Sequence, residues 1–336
     1  MEQRRLGTAG PKVSMFALGA MMFGGAADER ASREMLDTYV DAGGTFIDTA
    51  DNYNDGASER WIGQWLKDRP GVRERIVLAT KGRFMLAGQP GASLRPDYLR
   101  TALAASLRRL DVEHIDLYQL HGPDADNPLE GVVEFLTEAA AAGQIGHVGV
   151  SNFPGWQVAK LARLLAEHDG PPLVSHQIQY SLLVREVEWE ILPAAIDAGV
   201  GTMCWGPLGQ GYLTGKYHRD RKPTAGTRAG ESPDHALEAW TRRNTDEVWA
   251  IVDALREVAD GHGATPAQVA LAWVADRPGI TAPIVGARHS EQLRETLPAA
   301  ELHLDTAARD RLDELSTPRA ADYPYPFLAE ISHWHS

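Results

Sequence analysis

The 336-residue chain contains a single cysteine, Cys204, and has a deficit of basic side chains. One cysteine excludes an intramolecular disulfide framework and a cysteine-rich zinc site, and it suits a reducing compartment. The sequence has 33 Lys and Arg against 46 Asp and Glu, a formal net charge of -13. Because binding to nucleic acid needs clustered cations, this balance argues against a nucleic-acid partner.

Long apolar runs and metal-binding motifs are missing as well. No stretch of about 18 consecutive apolar residues occurs, so the sequence predicts neither a membrane span nor a membrane partner. The N-terminal segment MEQRRLGTAGPKVSM has early arginines but no apolar run of signal-peptide length behind them, and we expect a cytoplasmic protein. The 12 histidines form no H-E-x-x-H pattern and no C-x-x-C occurs, so we predict no metal site.

The sequence does contain a regular alternation of short apolar runs with longer amphipathic stretches rich in Ala, Leu, Glu and Arg. This alternation is typical of repeated βα units around a parallel sheet. It predicts strands at 16–19, 45–48, 76–80, 115–120, 147–150, 174–179, 201–205 and 281–285. It predicts helices near 30–42, 57–68, 96–110, 128–142, 154–167, 185–198, 246–276 (in two pieces) and 289–297.

Eight strands alternating with helices predict an α/β fold, a (β/α)8 TIM barrel. The competing fold is a doubly wound open sheet, which would place G-x-G-x-x-G after the first strand. Residues 20–25 read AMMFGG instead, which favours the barrel. We predict one domain over 1–336, with a hairpin over 3–14 closing the N-terminal end of the barrel and a C-terminal extension over 317–336. The segment 206–245 is predicted as a long loop, and loops of that length are usually functional or disordered.

Local signals mark the ends of several helices. Thr265 before Pro266 is a predicted N-cap, because a threonine hydroxyl can accept from the first free N–H groups and proline is tolerated in the first turn. Gly43 and Gly143 follow their helices and are predicted to adopt the left-handed conformation of a C-terminal cap.

Ionisable side chains follow three consecutive predicted strands, at the barrel end where active sites lie. Asp48 ends the second strand, with Tyr53 in the loop behind it, Lys81 follows the third and His121 follows the fourth. Each has an ordinary structural explanation: a helix cap, loop packing, a solvated charge or a hydrogen bond to backbone. Three consecutive strands that are each followed by an ionisable side chain favour an active site instead.

These four residue types suit one kind of chemistry. A tyrosine hydroxyl has a pKa near 10, and a neighbouring cation such as Lys81 lowers it, which makes Tyr53 a better proton donor. Asp48 can hold the ammonium charged, and His121 can hydrogen-bond a carbonyl oxygen or relay its proton. Such a site combines a general acid with oxyanion stabilisation and has no evident nucleophile. Reduction there needs an electron donor, and a nicotinamide would be one.

Over almost its whole length the sequence resembles the aldo-keto reductases, in particular the bacterial, longer-loop branch related to potassium-channel β-subunits. No single motif decides this, but the motifs occur in order and at matching spacings. The resemblance implies that Tyr53 is the general acid, that Lys81 and Asp48 tune it, and that His121 orients the carbonyl. The matching segments are RLG at 5–7, VS at 13–14, LGAMMFG at 18–24, FIDTADNY at 46–53, TK at 80–81, LRRL at 107–110, DLYQLH at 116–121, GVSN at 149–152, PLGQGYLTGK at 207–216 and VGARHSEQL at 285–293.

The resemblance also implies a nicotinamide cofactor site. Ser151, Asn152 and Gln177 match positions that hydrogen-bond the carboxamide, and Trp205 matches the aromatic position on which the nicotinamide stacks. Leu208, Gln210 and Gly211 would wrap the pyrophosphate, and the segment after the last strand would hold the adenosine phosphate. The full set of implied cofactor residues is Gly19, Ala20, Met21, Asp48, Ser151, Asn152, Gln177, Trp205, Gly206, Pro207, Leu208, Gln210, Gly211, Lys216, Gly286, Ala287, Arg288, Gln292 and Glu295.

Arg288 bears on the choice of cofactor. A guanidinium can bind a 2'-phosphate through two parallel hydrogen bonds, which favours NADPH/NADP+ over the NAD pair. The alternative is an exposed arginine at the start of a helix. The family often has Asn where this chain has Thr296. Threonine is shorter and has no amide, so the resemblance does not imply a contact between this residue and the adenine.

The predicted function is NADPH-dependent, reversible reduction of an aldehyde or ketone to an alcohol by a monomer or homo-oligomer acting on a small molecule. One alternative is a nicotinamide-binding regulatory or redox-sensor subunit with little turnover; another is a barrel aldolase using Lys81 as a Schiff base. The substrate candidates follow the first and third strands or lie in the C-terminal tail. For the tail, packing on the barrel wall is the alternative. The positive charge of residue 83 would favour anionic or hydroxylated substrates. The candidates are Met22, Arg83, Phe84 and Tyr325.

Overall fold

The structure, a computed structural model, describes residues 1–84, 91–231, 236–237 and 239–332. Eight parallel strands, β3 to β10, close into a barrel in chain order, and the last pairs with the first. This confirms the predicted (β/α)8 barrel. The strands are β1 Gln3–Arg5, β2 Lys12–Ser14, β3 Ala17–Gly19, β4 Phe46–Asp48, β5 Val77–Gly82, β6 Ile115–Leu120, β7 Ile145–Ser151, β8 Leu173–Gln179, β9 Gly201–Trp205 and β10 Ile280–Val285.

The predicted N-terminal hairpin is present as the antiparallel pair β1–β2, in which Gln3 pairs with Ser14. Leu6 and Val13 are fully buried and pack into the barrel interior with apolar side chains such as Phe46 and Met203. The hairpin therefore fills the N-terminal end of the barrel with apolar groups, and the polar groups of the barrel strands collect at the opposite end.

Helices surround the barrel and pack their apolar faces against it. The predicted cap at Thr265 is confirmed, because its hydroxyl accepts from the Gln268 N–H while the Gln268 side chain accepts from the Thr265 N–H. Gly43 and Gly143 have φ of 81° and 71°, as predicted. The helices are α1 Glu29–Asp41, α2 Ala57–Lys67, α3 Pro96–Leu110, α4 Leu129–Ala141, α5 Gly155–Glu167, α6 Ile191–Asp197, α7 Arg228–Glu231, α8 Trp240–Arg243, α9 Asp246–His262, α10 Pro266–Ala275, α11 Ser290–Thr296, α12 Thr306–Ser316 and α13 Tyr325–Ser332.

Some elements differ from the sequence prediction. The helix predicted over 185–198 is a short 3-10 turn, Glu186–Glu188, followed by α6. Helices α7, α8, α12 and α13 were not predicted. The first two lie within the predicted loop 206–245 and the last within the tail 317–336; residues 232–235, 238 and 333–336 of these segments lie outside the described residues. Within the described part of the chain, no helix is both long and apolar enough to cross a membrane.

Candidate active site

Strand register brings the predicted catalytic residues to one end of the barrel. Gly19 on β3 pairs with Asp48 on β4, and Lys81 on β5 pairs with Gln119 on β6. Strand β5 runs one residue beyond Lys81, so the lysine lies inside the barrel wall rather than after the strand. The His121 N–H donates to the Gly82 carbonyl at 3.0 Å, which holds the end of β6 against the end of β5.

Lys81 forms the centre of the site. Its side chain is fully buried, and Nζ donates to Asp48 Oδ2 at 2.7 Å, to the Thr49 carbonyl at 2.8 Å and to the Tyr53 hydroxyl at 3.2 Å. These bonds use all three N–H groups of the ammonium. Burial lowers the pKa of Lys81, but the Asp48 carboxylate and the Tyr53 oxygen raise it more, and the pKa ends above its ordinary value. Lys81 is therefore a permanent cation beside the Tyr53 hydroxyl.

Asp48 is fixed by two amides that the sequence analysis did not treat as part of the catalytic group. Its Oδ1 accepts from Gln119 Nε2 at 3.0 Å and from Gln177 Nε2 at 2.9 Å, while Oδ2 accepts from Lys81. Asp48 is 2% exposed, and a carboxylate buried so deeply needs such partners. The signal for Gln119 was a glutamine near the carboxyl end of the predicted strand 115–120, two residues before His121.

Tyr53 carries its hydroxyl from the loop after β4 to Lys81. Burial raises the pKa of Tyr53, the charge of Lys81 lowers it, and the pKa ends above its ordinary value. The sequence led us to expect that Lys81 lowers the pKa of Tyr53; its charge acts in that direction, but burial raises the pKa by more. The hydroxyl accepts from Lys81 and donates to no described residue, so its proton is available to a bound molecule.

His121 completes the group as a neutral side chain. Burial, followed by the charges of Lys81 and Arg83, lowers the pKa of His121 to about 2. Its ring meets the Tyr53 ring edge-on, with 5.8 Å between centroids, and the Phe84 ring at 4.8 Å. Neither ring nitrogen bonds to another described residue, and Nδ1 is buried. A neutral imidazole offers one N–H donor, which suits contact with a carbonyl oxygen.

The predicted nicotinamide residues also meet at this end of the barrel. Ser151 pairs with Gln177 between β7 and β8, and Gln179 pairs with Trp205 between β8 and β9. The Trp205 indole N–H donates to Asn152 Oδ1 at 2.9 Å, and Asn152 Nδ2 donates to Ser151 Oγ at 2.9 Å. The Asn152 amide thus orients the indole ring, and a ligand would bind to Ser151 Oγ–H and to the Gln177 side-chain oxygen.

The segment after β9 turns through consecutive left-handed residues. Gly209, Gln210 and Gly211 have φ of 51°, 51° and 96°. Two of their backbone N–H groups are bonded within the segment: Gly209 N–H donates to the Gly206 carbonyl and Gly211 N–H to the Leu208 carbonyl, both at 2.9 Å. A side chain at 211 would displace Lys216, whose Nζ lies 2.8 Å from the position of the added Cβ. The glycine therefore lets the Lys216 ammonium lie against this turn.

The segment after β10 holds the predicted adenosine-phosphate residues. A Cβ added to Gly286 would meet only the Gly19 carbonyl oxygen, at 3.8 Å, so the space above this residue is open. The Arg288 N–H donates to Gln292 Oε1 at 2.8 Å, and the Arg288 guanidinium donates to Glu231 at 2.6 Å. Glu295 is exposed, and its carbonyl oxygen accepts from Gln268 Nε2 at 2.6 Å.

Two of the four substrate candidates, Phe84 and Arg83, lie beside the catalytic group. The Arg83 guanidinium is 4.7 Å from the centre of the Phe84 ring, which contacts His121. Met22 Sδ accepts from Arg228 Nη1 at 3.6 Å, a contact that the sequence analysis missed. Tyr325 lies on α13 and packs against Trp189, with 5.5 Å between the ring centroids.

A second buried polar cluster lies behind the site and was not predicted. Glu59 on α2 accepts from Arg109 Nε at 2.6 Å and from the Thr80 hydroxyl at 2.5 Å. Asp51 is 1% exposed, and burial, followed by the charge of Glu59, raises its pKa to about 7. The Asp51 N–H donates to the Lys81 carbonyl at 3.0 Å, which joins this cluster to the backbone of the catalytic group.

Comparison with known proteins places this arrangement in a family. The model of the Aldo/keto reductase family matches residues 16–317. The chain belongs to the aldo/keto reductase family. The protein is therefore an oxidoreductase. The resemblance to aldo-keto reductases predicted from the sequence is confirmed.

Curated relatives of this aldo/keto reductase span nearly its whole length. It is 36% identical over 326 residues to the Bacillus subtilis (strain 168) protein named "Uncharacterized oxidoreductase YrpG", covering 94% of this chain and 96% of the relative. It is 31% identical over 304 residues to an Arabidopsis thaliana "Probable voltage-gated potassium channel subunit beta", covering 90% and 92%. It is 30% identical over 344 residues to "Norsolorinic acid reductase B" of Dothistroma septosporum, covering 98% and 85%.

Proposed function

We propose that this aldo/keto reductase reduces an aldehyde or ketone to an alcohol with NADPH, in a reversible reaction. The observation that carries the proposal is the Tyr53 hydroxyl, which is bonded to the Lys81 ammonium at 3.2 Å and has its own proton free. A general acid must have its proton within hydrogen-bond reach of the reacting oxygen. A substrate carbonyl that lies between Tyr53 and His121 meets two donors, one of which can transfer its proton.

Each member of the group has a definite part in this reaction. Tyr53 protonates the carbonyl oxygen, and the tyrosinate that this leaves is stabilised by the Lys81 cation. Asp48 keeps Lys81 charged and in place, so its effect on Tyr53 is indirect. His121 stays neutral and donates a hydrogen bond that orients the carbonyl oxygen. When bound, the reduced nicotinamide supplies the hydride that goes to the carbonyl carbon.

The residues of this chain fit a nicotinamide dinucleotide. Trp205 is partly exposed and held flat by Asn152, which offers an aromatic face for stacking. The Lys216 ammonium, which lies against the left-handed turn at 209–211, offers a cation for a pyrophosphate. Arg288 offers a guanidinium for a 2'-phosphate, which supports NADPH rather than NADH.

The test is a pair of measurements on the parent protein and on Tyr53→Phe. The parent is expected to oxidise NADPH with members of a panel of aldehydes and ketones. Tyr53→Phe is expected to lose roughly a hundredfold or more in kcat, because it lacks the proton donor, while its Kd for NADPH stays close to that of the parent. Turnover like that of the parent in Tyr53→Phe would remove Tyr53 from the proposed role.

A second candidate function is a nicotinamide-binding sensor subunit, since one relative carries the name of a potassium-channel β-subunit. Negligible turnover over the whole panel, together with a partner affinity that depends on the redox state of the cofactor, would favour it. The buried, charged state of Lys81 speaks against a Schiff-base aldolase, because a nucleophilic amine must first lose its proton. Borohydride trapping with substrate tests that third function.

A further inference from the structure

Arg83 leaves the end of β5 in an unusual backbone conformation. Its φ is 146°, in the region that residues with a side chain rarely adopt. Such conformations persist where the surrounding structure enforces them, and they cluster at sites that bind or react. The conformation turns the chain directly beside the catalytic group, because the preceding residue, Gly82, pairs with Leu120 and its carbonyl accepts from the His121 N–H.

The Arg83 guanidinium is held in position without an acidic partner. It lies over the Phe84 ring at 4.7 Å, while its Nε is buried and has no hydrogen bond. No carboxylate of a described residue forms an ion pair with it. Asp124 lies in the next loop, and the charge of Arg83 contributes to lowering its pKa, but no hydrogen bond or ion pair joins the two side chains. The Asp124 carboxylate accepts instead from the Leu94 N–H, the Asp126 N–H and Asn127.

The sequence directly after Arg83 adds no negative charge. Residues 85–90 read MLAGQP and contain no acidic side chain. A buried donor without a partner is costly and uncommon in folded proteins. Because Arg83 lies next to the reaction site and its Nε has no acceptor among the described residues, we expect a bound molecule to supply that acceptor.

The guanidinium also lies close to the reacting position. A Cβ added to Gly122 would lie 3.4 Å from Phe84 Cζ and 3.8 Å from Arg83 Nη1, so both side chains cover the start of the loop after His121. The positive charge of Arg83 adds to the effects of burial and Lys81 that keep His121 neutral. A molecule whose carbonyl contacts His121 thus extends within reach of Arg83.

We propose that Arg83 recognises an anionic group on the substrate, so that the preferred substrates are aldehydes or ketones carrying a carboxylate or a phosphate. A guanidinium binds either group through two parallel, charge-assisted hydrogen bonds. The chain as a whole is acidic, with a net charge of -13, so a local cation is needed to bring an anion to this site. The inference rests on the proposed carbonyl reduction and assigns its substrate class.

The experiment compares 4-carboxybenzaldehyde with its neutral methyl ester, methyl 4-formylbenzoate, in NADPH oxidation. The measured quantity is the ratio of kcat/KM for the acid to kcat/KM for the ester. The parent should favour the acid, and Arg83→Met should lower the ratio roughly tenfold or more, because a charge-assisted bidentate contact is lost. Arg83→Lys, which keeps the charge and loses the bidentate geometry, should lie between the two.

Arg108→Met is the matched control, because Arg108 is an exposed arginine on α3. It removes the same charge from the surface, and its ratio should equal that of the parent. A comparison of glyceraldehyde 3-phosphate with glyceraldehyde repeats the test for phosphate and tells which anion is preferred. Equal losses with acid and ester in Arg83→Met, or a parent that prefers the ester, would overturn the inference.

A readout without turnover separates this inference from the proposed function. Benzoate should bind to the NADPH complex of the parent, followed by cofactor fluorescence, and its Kd should rise roughly tenfold in Arg83→Met. Failure to reduce any carbonyl would contradict the proposed function, while the benzoate titration would still test Arg83. An unchanged Kd for benzoate in Arg83→Met would overturn the inference whatever the turnover.

Discussion

The Arg288 guanidinium is bonded to the Glu231 carboxylate at 2.6 Å, and its other end donates to the Gly226 carbonyl at 2.7 Å. A carboxylate of the protein thus occupies the arginine that we assign to the 2'-phosphate of NADPH. The pKa of Glu231 is lowered, first by its bond with Arg288, so the carboxylate is charged at neutral pH. Phosphate must therefore compete with Glu231 or share the guanidinium with it.

Removal of the Glu231 charge should strengthen the binding of NADPH. Glu231→Gln keeps the size of the side chain and removes the competitor, so the Kd for NADPH should fall roughly three- to tenfold, while the Kd for NADH should change little. Fluorescence titration of both cofactors measures this. Glu134→Gln, an exposed change on α4, is the control. Weaker binding of both cofactors in Glu231→Gln would contradict the competition.

Removal of the Arg288 charge should weaken the preference for NADPH over NADH. Arg288→Ala takes away the group expected to bind the 2'-phosphate, so the ratio of the NADH Kd to the NADPH Kd should fall roughly tenfold. The same titrations measure this ratio, and kcat/KM with each cofactor should follow it. A parent protein that uses both cofactors with equal efficiency would show that Arg288 sets no preference.

The ion pair between Asp48 and Lys81 should give a coupling free energy in a double-mutant cycle of protein stability. Asp48→Asn and Lys81→Met each leave a buried charge without its partner and should cost about 3–5 kcal/mol of unfolding free energy. The double variant should cost less than the sum by about 2 kcal/mol, within the usual range for residues in contact. Urea unfolding of the four proteins measures the cycle.

An exposed ion pair offers the matched comparison. Arg95 and Asp97 bond at 3.1 Å with side chains that are 58% and 71% exposed. A cycle of Arg95→Met and Asp97→Asn should give a coupling below about 1 kcal/mol. Equal couplings in the two cycles would mean that burial does not strengthen the Asp48–Lys81 pair.

His176, inside β8, should make the protein sensitive to mild acid. Burial lowers its pKa from 6.5 to about 4, so between these values the unfolded chain binds a proton that the folded chain does not. Stability is therefore complete above about pH 6.5 and falls as the pH drops towards 4, by on the order of 3 kcal/mol. His176→Leu should reduce the slope of unfolding free energy against pH in this range by the contribution of one histidine, whereas His168→Gln, on the surface, should not; the buried His121 keeps its own contribution. An unchanged slope in His176→Leu would assign the acid sensitivity to other groups.

The sequence predicted the parts of the site that follow from strand order. Asp48, Lys81 and His121 end adjacent strands, and parallel strands in a barrel must bring their carboxyl ends together. Tyr53 is close to a strand end, so its position followed from the same rule and from the family motif. The predicted ends of the barrel strands differ from the observed ones by at most two residues, as with β7, which begins at Ile145 rather than at residue 147.

Contacts made by long connections could not be predicted in the same way. Glu231 reaches Arg288 across 57 positions of sequence, and Arg228 reaches Met22 across 206. No local pattern encodes such contacts, because they depend on how the chain after β9 folds back over the barrel. Tyr325 illustrates the same limit, since its aromatic, proline-rich surroundings did not predict its contact with Trp189.

The hydrogen bonds around Asp48 have a consequence for protein engineering. Four different strands contribute to these bonds, through Asp48, Lys81, Gln119 and Gln177. The group that tunes the proton donor is therefore also a brace, a hydrogen-bonded link between strands at the C-terminal end of the barrel. A change at any of the four mixes loss of chemistry with loosening of the scaffold. Tyr53 belongs to a loop and only accepts from this brace. An engineer who wants an inactive but intact carrier of the cofactor should therefore alter Tyr53 and leave the brace untouched.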